Sequence, residues 1–228
     1  MGDIIENLKA INKSISVAAI KSGRLPEDIK LIGVTKTVGP ERINQLVLAG
    51  VNCIGESRVQ EFLPKYSALL QPPTPTWHFI GHLQRNKVKF IVDKVEMIHS
   101  VDSLALAHEI NVRACKAGII MDILVEINIA GEESKYGVNP ADAISFAKEI
   151  SKFDNIRTKG LMCIAPYVEN PEDNRPNFIK MRKLLLDISD THMHNHYPTE
   201  LSMGMSGDYS VAIEEGATMV RIGTALVG

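Results

Sequence analysis

The sequence predicts an α/β protein folded as a single (β/α)8 TIM-type barrel with an extra N-terminal helix. Eight short β-rich runs recur along the 228 residues, helical patterns separate them, and no linker, low-complexity tract or short-period repeat divides the chain. One domain over residues 1–228 is therefore expected.

Ile4, Leu8, Ile11, Ile15 and Ala18 lie at helical spacing before Gly23, so residues 1–23 form an amphipathic helix. The strand candidates come next, as KLIGVTK (30–36), VNCIGES (51–57), WHFIGH (77–82), MIHSVD (97–102), MDILVEINIA (121–130), RTKGLMCI (157–164), ELSMGM (200–205) and TMVRIGTAL (218–226). Between them, Ile43, Leu46 and Val47 form one helical face, Val59, Phe62, Leu63, Tyr66, Leu69 and Leu70 a second, and Phe178, Met181, Leu185 and Ile188 a third. Asn139-Pro140 opens a helix, Ser103 caps one that Gly118 ends, and Gly216 closes a short one beginning near Ser206. Pro64 falls inside the second helical face and should kink or shorten that helix. The chain ends at Gly228 directly after the eighth strand, so the N-terminal helix is expected to take the vacant place beside that strand.

With 45% hydrophobic and 23% charged residues and a net charge of −2, the composition fits a soluble globular protein and excludes a nucleic-acid-coating chain. Cys53, Cys115 and Cys163 are odd in number and far apart, which argues against a disulfide framework or a thiolate metal site and points to a reducing cytoplasm. The N-terminus lacks a signal-peptide pattern, Glu6 stands where a myristoylation motif wants Ser or Thr, and no apolar run approaches the ~20 residues of a membrane span.

Barrel enzymes use the face at the C-terminal ends of the strands, with phosphate held after strands seven and eight. In SMGMSGDYS, Ser206 and Gly207 open a short helix with free N–H groups; in RIGTALVG, Gly223 lets backbone approach a ligand and Thr224 adds a hydroxyl. Either alone could be a cap or a packing glycine, but on adjacent strands they make a phosphate cup. Strand alternation gives Arg221 the parity of Gly223 and Lys36 that of Ile32 and Val34. Lys36 is either the solvated end of its strand or a reactive amine, whereas an inward Arg221 would be costly without a partner. A lysine, an inward arginine and a phosphate cup are the groups that pyridoxal phosphate requires, and an always-charged arginine at the ring nitrogen weakens the ring as an electron sink.

Other motifs carry less. His192, His194 and His196 lack an acidic or cysteine ligand set and read as a polar loop; QRNKVK (84–89) lacks an aromatic platform and reads first as a solvated helix start and second as an anion contact; GEESKYG after strand five is either a ligand-covering loop or plain exposed chain.

The stretches GVTKTV, GESRVQE, WHFIGHLQRNK, HSVDS, GEESKYGV, KGLMCIAP and LSMGMSGDYSVAIEEGATMVRIGTALVG resemble, in order from about residue 30 onward, the pyridoxal phosphate homeostasis proteins of the YggS/PROSC family. The resemblance implies a barrel like the N-terminal domain of alanine racemase, of fold type III, holding pyridoxal 5'-phosphate as a Schiff base on Lys36. Arg221 would face the pyridine nitrogen and Ser206, Gly223 and Thr224 would hold the phosphate. Ser57 in GES stands where the family usually has Asn, and His82 where many members have proline, so Ser57 is carried as a candidate contact and His82 receives no role. The implied function is cofactor storage or delivery in vitamin B6 and amino-acid balance, in the cytoplasm, without an established reaction. The expected partners are pyridoxal phosphate and pyridoxal-phosphate-dependent apo-enzymes, with no nucleic acid or membrane, and the expected state is a monomer. An amino-acid racemase is the main alternative, but it needs a second base on the opposite ring face. A Schiff-base aldolase or other phosphosugar barrel is the more distant one.

Overall fold

The computed structural model describes residues 2–132, 135–191 and 193–228. In chain order they form α1 (Gly2–Lys21), β1 (Lys30–Val34), α2 (Pro40–Leu48), β2 (Cys53–Glu56), α3 (Val59–Ala68), β3 (Thr76–Phe79), β4 (Met97–Val101), α4 (Leu104–Ala117), β5 (Met121–Glu126), α5 (Ala143–Ile150), β6 (Ile156–Met162), α6 (Arg175–Ser189), β7 (His196–Met205), α7 (Tyr209–Glu214), β8 (Met219–Ile222) and α8 (Thr224–Val227). The strands close in sequential order, β1 to β8, and every pairing is parallel.

Two apolar layers hold the barrel. Outward residues such as Ile54, Trp77, Phe79, Ile98, Ile123 and Val220 join the helix faces in a continuous outer core. Inward residues Ile32, Cys53, Met97, Leu124, Met162 and Met219 form a separate cluster down the axis. The split follows from period-2 alternation on a sheet buried on both faces. It fixes the parity of each strand, because Ile32 and Met219 point inward and residues two further along share their side.

α1 buries Ile4, Leu8, Ile11, Ile15, Ala18 and Ala19 and packs against α7 and α8, the place beside β8 expected for it. Asn7 Nδ2 donates to Leu226 O (3.3 Å), and the Arg24 guanidinium donates to Ala217 O (2.8 Å) and Ile213 O. The Asn139 side chain accepts from Ala141 N (2.9 Å) in a 3-10 turn leading into α5, and Gly118 ends α4 in the left-handed conformation (φ 68°).

α3 runs through Pro64, held by the packing of Val59, Phe62 and Lys65, and ends at Ala68, short of the Leu69 and Leu70 of the expected face. Two expectations need correction. β8 ends at Ile222, and residues Thr224–Val227 coil into one helical turn, so the chain does not leave the sheet directly into Gly228. α7 starts at Tyr209 with Asp208 before it, so Ser206 and Gly207 occupy a turn, not the helix.

Candidate functional site

The C-terminal ends of β1, β2, β6, β7 and β8 enclose a cavity of about 370 Å³. Lys36, Ser57, Ser206, Arg221, Gly223 and Thr224 all line it, so the six residues singled out from the sequence meet in one place.

Lys36 lies two residues past the end of β1, exposed at the mouth. Its neighbour Thr35 is fully buried and faces the other way: Thr35 Oγ1 donates to Glu56 Oε1 (2.6 Å). Lys65 Nζ on α3 donates to the same carboxylate oxygen (2.7 Å) and to Thr35 O (2.6 Å). A buried ion pair behind the sheet thus clamps the residue before Lys36, and alternation then turns Lys36 toward the cavity.

Arg221 follows Met219 on the inward side of β8 and is 4% exposed. Nη1 donates to Ser202 Oγ (2.6 Å) and Nη2 to Cys163 O (2.7 Å). Burial lowers the guanidinium pKa, while Cys163, Glu126 and Asp208 oppose that shift. Cys163 itself is a buried thiol, pushed up to about 12 mainly by desolvation, so it is inert as a nucleophile.

The Ser206-Gly207 turn is built by Asp208. Its Oδ1 accepts from Met205 N (2.7 Å), and its Oδ2 accepts from Asn174 Nδ2 (2.9 Å), which also donates to Pro166 O (2.9 Å). Ser206 Oγ accepts from Ala225 N at 3.4 Å, joining this turn to the start of α8, which follows Gly223. Ser57 is half-buried, and Gly81 lies against its backbone: a Cβ at Gly81 would sit 2.3 Å from Ser57 O. Only glycine permits that approach.

The other side of the mouth, on β3 to β5, carries different chemistry. His82 Nδ1 is 3.6 Å from Asp102 Oδ2, and its ring stacks on Tyr136 with centroids 3.7 Å apart. Glu126 is 6% exposed, and its Oε2 has no hydrogen-bond partner among the described residues. Burial first, then the charge of Asp102, raises its carboxyl from 4.5 to about 7 against the pull of Arg221. The folded chain therefore keeps a proton that the unfolded chain releases, and stability falls as pH rises from about 4.5 to about 7. Glu126→Gln removes that loss. Its stability relative to wild type should rise between pH 5 and pH 8 by on the order of 2–3 kcal/mol, read from urea unfolding; a difference that does not change with pH would contradict the burial argument.

Sequence reading missed Thr35, Glu56, Lys65, Asn174, Ser202, His78, His99 and Glu126. Strand parity could have placed His78 with Ile80 and His99 with Met97; nothing local pairs Lys65 with Glu56. The remaining motifs stand apart. QRNKVK lies in a largely exposed 3-10 turn, Arg85–Phe90, with Lys89 Nζ 5.0 Å from the Phe90 ring centroid. His194 is exposed and His196 is buried on β7, where desolvation lowers its pKa to about 4; His192 lies outside the described residues, as do Glu133 and Ser134 of GEESKYG. No helix among the described residues is long and apolar enough to cross a membrane.

Comparison with known proteins bears on the family and the fold. Residues 7–228 match the family described as alanine racemase, N-terminal domain. A pyridoxal phosphate homeostasis protein of Aquifex aeolicus is 47% identical over 223 residues, covering 98% of this chain and 96% of that protein. A crystal structure of an unknown protein from Bifidobacterium adolescentis superposes with a TM-score of 0.92 at 36% identity, covering 98% of this chain and 94% of that one. PipY of Synechococcus elongatus PCC7942, solved with pyridoxal phosphate bound, superposes with a TM-score of 0.86 at 32% identity, covering 99% and 100% of the two chains.

Proposed function

Because this chain belongs to the pyridoxal phosphate homeostasis proteins, a family built on the alanine racemase N-terminal domain, we propose that it binds pyridoxal 5'-phosphate through Lys36 and serves intracellular vitamin B6 homeostasis and amino-acid balance. The observation that carries this reading is the single cavity lined by Lys36, Arg221, Ser57, Ser206, Gly223 and Thr224.

The residues fit the cofactor. An exposed amine, a buried guanidinium with two of its five N–H groups held by neutral acceptors, and two loops joined at Ser206 supply the donors for an aldehyde, a ring nitrogen and a phosphate. A cavity of about 370 Å³ is within the usual size for a small ligand. The bound cofactor supplies an aldehyde that takes up a primary amine reversibly. On this reading Lys36 anchors the group, Arg221 faces the pyridine nitrogen, and Ser206, Gly223 and Thr224 orient the phosphate, with Ser57 at the rim. An absorption spectrum taken before and after adding pyridoxal phosphate should gain a visible band; its absence after reconstitution would sink the reading.

Once loaded, the protein holds the cofactor and hands it on to pyridoxal-phosphate-dependent apo-enzymes, working in the cytoplasm as a monomer without turning over a substrate. An amino-acid racemase would need a second positioned base, and beside Lys36 the lining offers Tyr167, a side chain 93% exposed, and Asp208, whose two carboxylate oxygens already accept from Met205 N and Asn174 Nδ2. Loss of α-deuterium from a panel of labelled amino acids should stay far below about 1 per second. Exchange at or above that rate would establish the racemase instead.

A further inference from the structure

Among the described residues, Arg221 has no carboxylate as a hydrogen-bond partner; its Nη1 contact begins a chain that runs down the barrel axis. Ser202 Oγ, which accepts from Arg221, lies 3.0 Å from His99 Nδ1, and His99 Nε2 lies 2.8 Å from His78 Nδ1. His78 Nε2 then faces Glu96 Oε1 at 3.6 Å, a charge–dipole contact too long for a direct hydrogen bond, and Lys30 Nζ stands 3.5 Å from the same oxygen. Ser202, His99 and His78 are all 0% exposed, whereas the Glu96 side chain is 45% exposed just before β4, at the N-terminal face. The chain joins β8, β7, β4 and β3 and ends on the face opposite the mouth.

The carboxylate end sets the polarity of the protons along the chain, and the guanidinium end accommodates that polarity. A guanidinium only donates and a carboxylate only accepts. Read from the carboxylate end, a His78 proton on Nε2 leaves its Nδ1 to accept from His99 Nε2–H, and the bare His99 Nδ1 then accepts from Ser202 Oγ–H, a hydroxyl whose lone pair accepts from Arg221. His78 presents Nε2–H to Glu96, and the reversed polarity would set a bare nitrogen lone pair against that carboxylate. Both rings stay neutral, since burial lowers each, and the cations Arg221 and Lys30 hold His99 lower still. The His78 N–H, with Lys30 beside it, holds the Glu96 carboxyl down at about 2.

We propose that Ser202, His99, His78 and Glu96 are positioning residues in one polarised relay, through which a carboxylate on the N-terminal face fixes both histidine tautomers and aims Arg221 at the mouth. The inference rests on Arg221 facing the cofactor's ring nitrogen. The histidine protons test the relay without any cofactor bound.

The experiment uses cofactor-free protein with ¹⁵N-labelled histidine and long-range proton–nitrogen correlation at pH 7. Wild type should show both rings as Nε2–H tautomers. Glu96→Gln, a substitution at a half-exposed site that keeps the fold, should shift the ring nitrogens of His78 and then of His99. The same substitution should weaken pyridoxal phosphate binding roughly three- to tenfold, and should do so no further once Ser202→Ala has cut the relay. An Nδ1–H tautomer in either wild-type ring, unmoved ring nitrogens in Glu96→Gln, or strictly additive losses of affinity in the double variant would overturn the relay. Failure of wild type to bind pyridoxal phosphate would instead defeat the functional reading, and the tautomers would still decide whether the relay exists.

Discussion

Lys36→Ala protein should lose its borohydride-fixed pyridoxal phosphate adduct to background and keep its fold. Lys36 is the one lysine among the residues lining the cavity, and its side chain is exposed, so the substitution leaves no buried hole. Surface changes of this kind usually alter stability by no more than about 0.5 kcal/mol, which for a chain of this size is a shift in Tm of only about 1–2 °C. The phosphate and ring contacts remain, so binding without the covalent bond should persist with affinity reduced on the order of 100-fold, equivalent to about 2.8 kcal/mol. Equilibrium dialysis beside reductive trapping separates the two effects. An adduct of wild-type yield in the variant would mean that another amine is the anchor.

Lys65→Met should be the most destabilising of these single changes, although it lies outside the cavity. Glu56 is 0% exposed and has Thr35 and Lys65 as its partners; Lys65 is 8% exposed and also holds the Thr35 carbonyl. Methionine fills much of the same volume but strands a buried carboxylate, which typically costs about 3–5 kcal/mol. That corresponds to a fall in Tm of roughly 6–20 °C. Glu56→Gln combined with Lys65→Met removes both charges and should recover most of the loss. If the double variant melts as low as Lys65→Met, the cost comes from packing and not from the unpaired charge. The clamp also bears on function: in Lys65→Met the segment entering Lys36 loses its fixed carbonyl, so adduct formation should slow even where the protein remains folded.

The barrel was legible because its signal is periodic. Eight β-rich runs separated by one-sided helical patterns leave few topologies, and alternation from Ile32 and Met219 carries Arg221 inward. Strand ends were less legible. Lys36 and Gly223 lie beyond the last paired residues of β1 and β8, where the chain turns to meet the cavity. Ser206 looked like a helix start because serine is a common cap, yet Asp208 takes the place before α7 by closing the turn on Met205 N. Buried polar groups were least legible. Glu56 and Lys65 look locally like surface charges, and only the docking of α3 against β2 brings them together. His78 and His99 sit inside the motifs WHFIGH and HSVDS, but their contact depends on the register between β3 and β4, which sets His78 beside Met97.

The central claim is that Lys36 anchors pyridoxal phosphate in the cavity shared with Arg221 and the Ser206 and Gly223 loops. Its most direct test is borohydride reduction of the cofactor-loaded wild-type protein and peptide mapping of the product. The pyridoxyl mass is expected on the peptide containing Lys36 and on no other; the same mass on a different lysine, in protein shown by dialysis to have bound the cofactor, would contradict the claim.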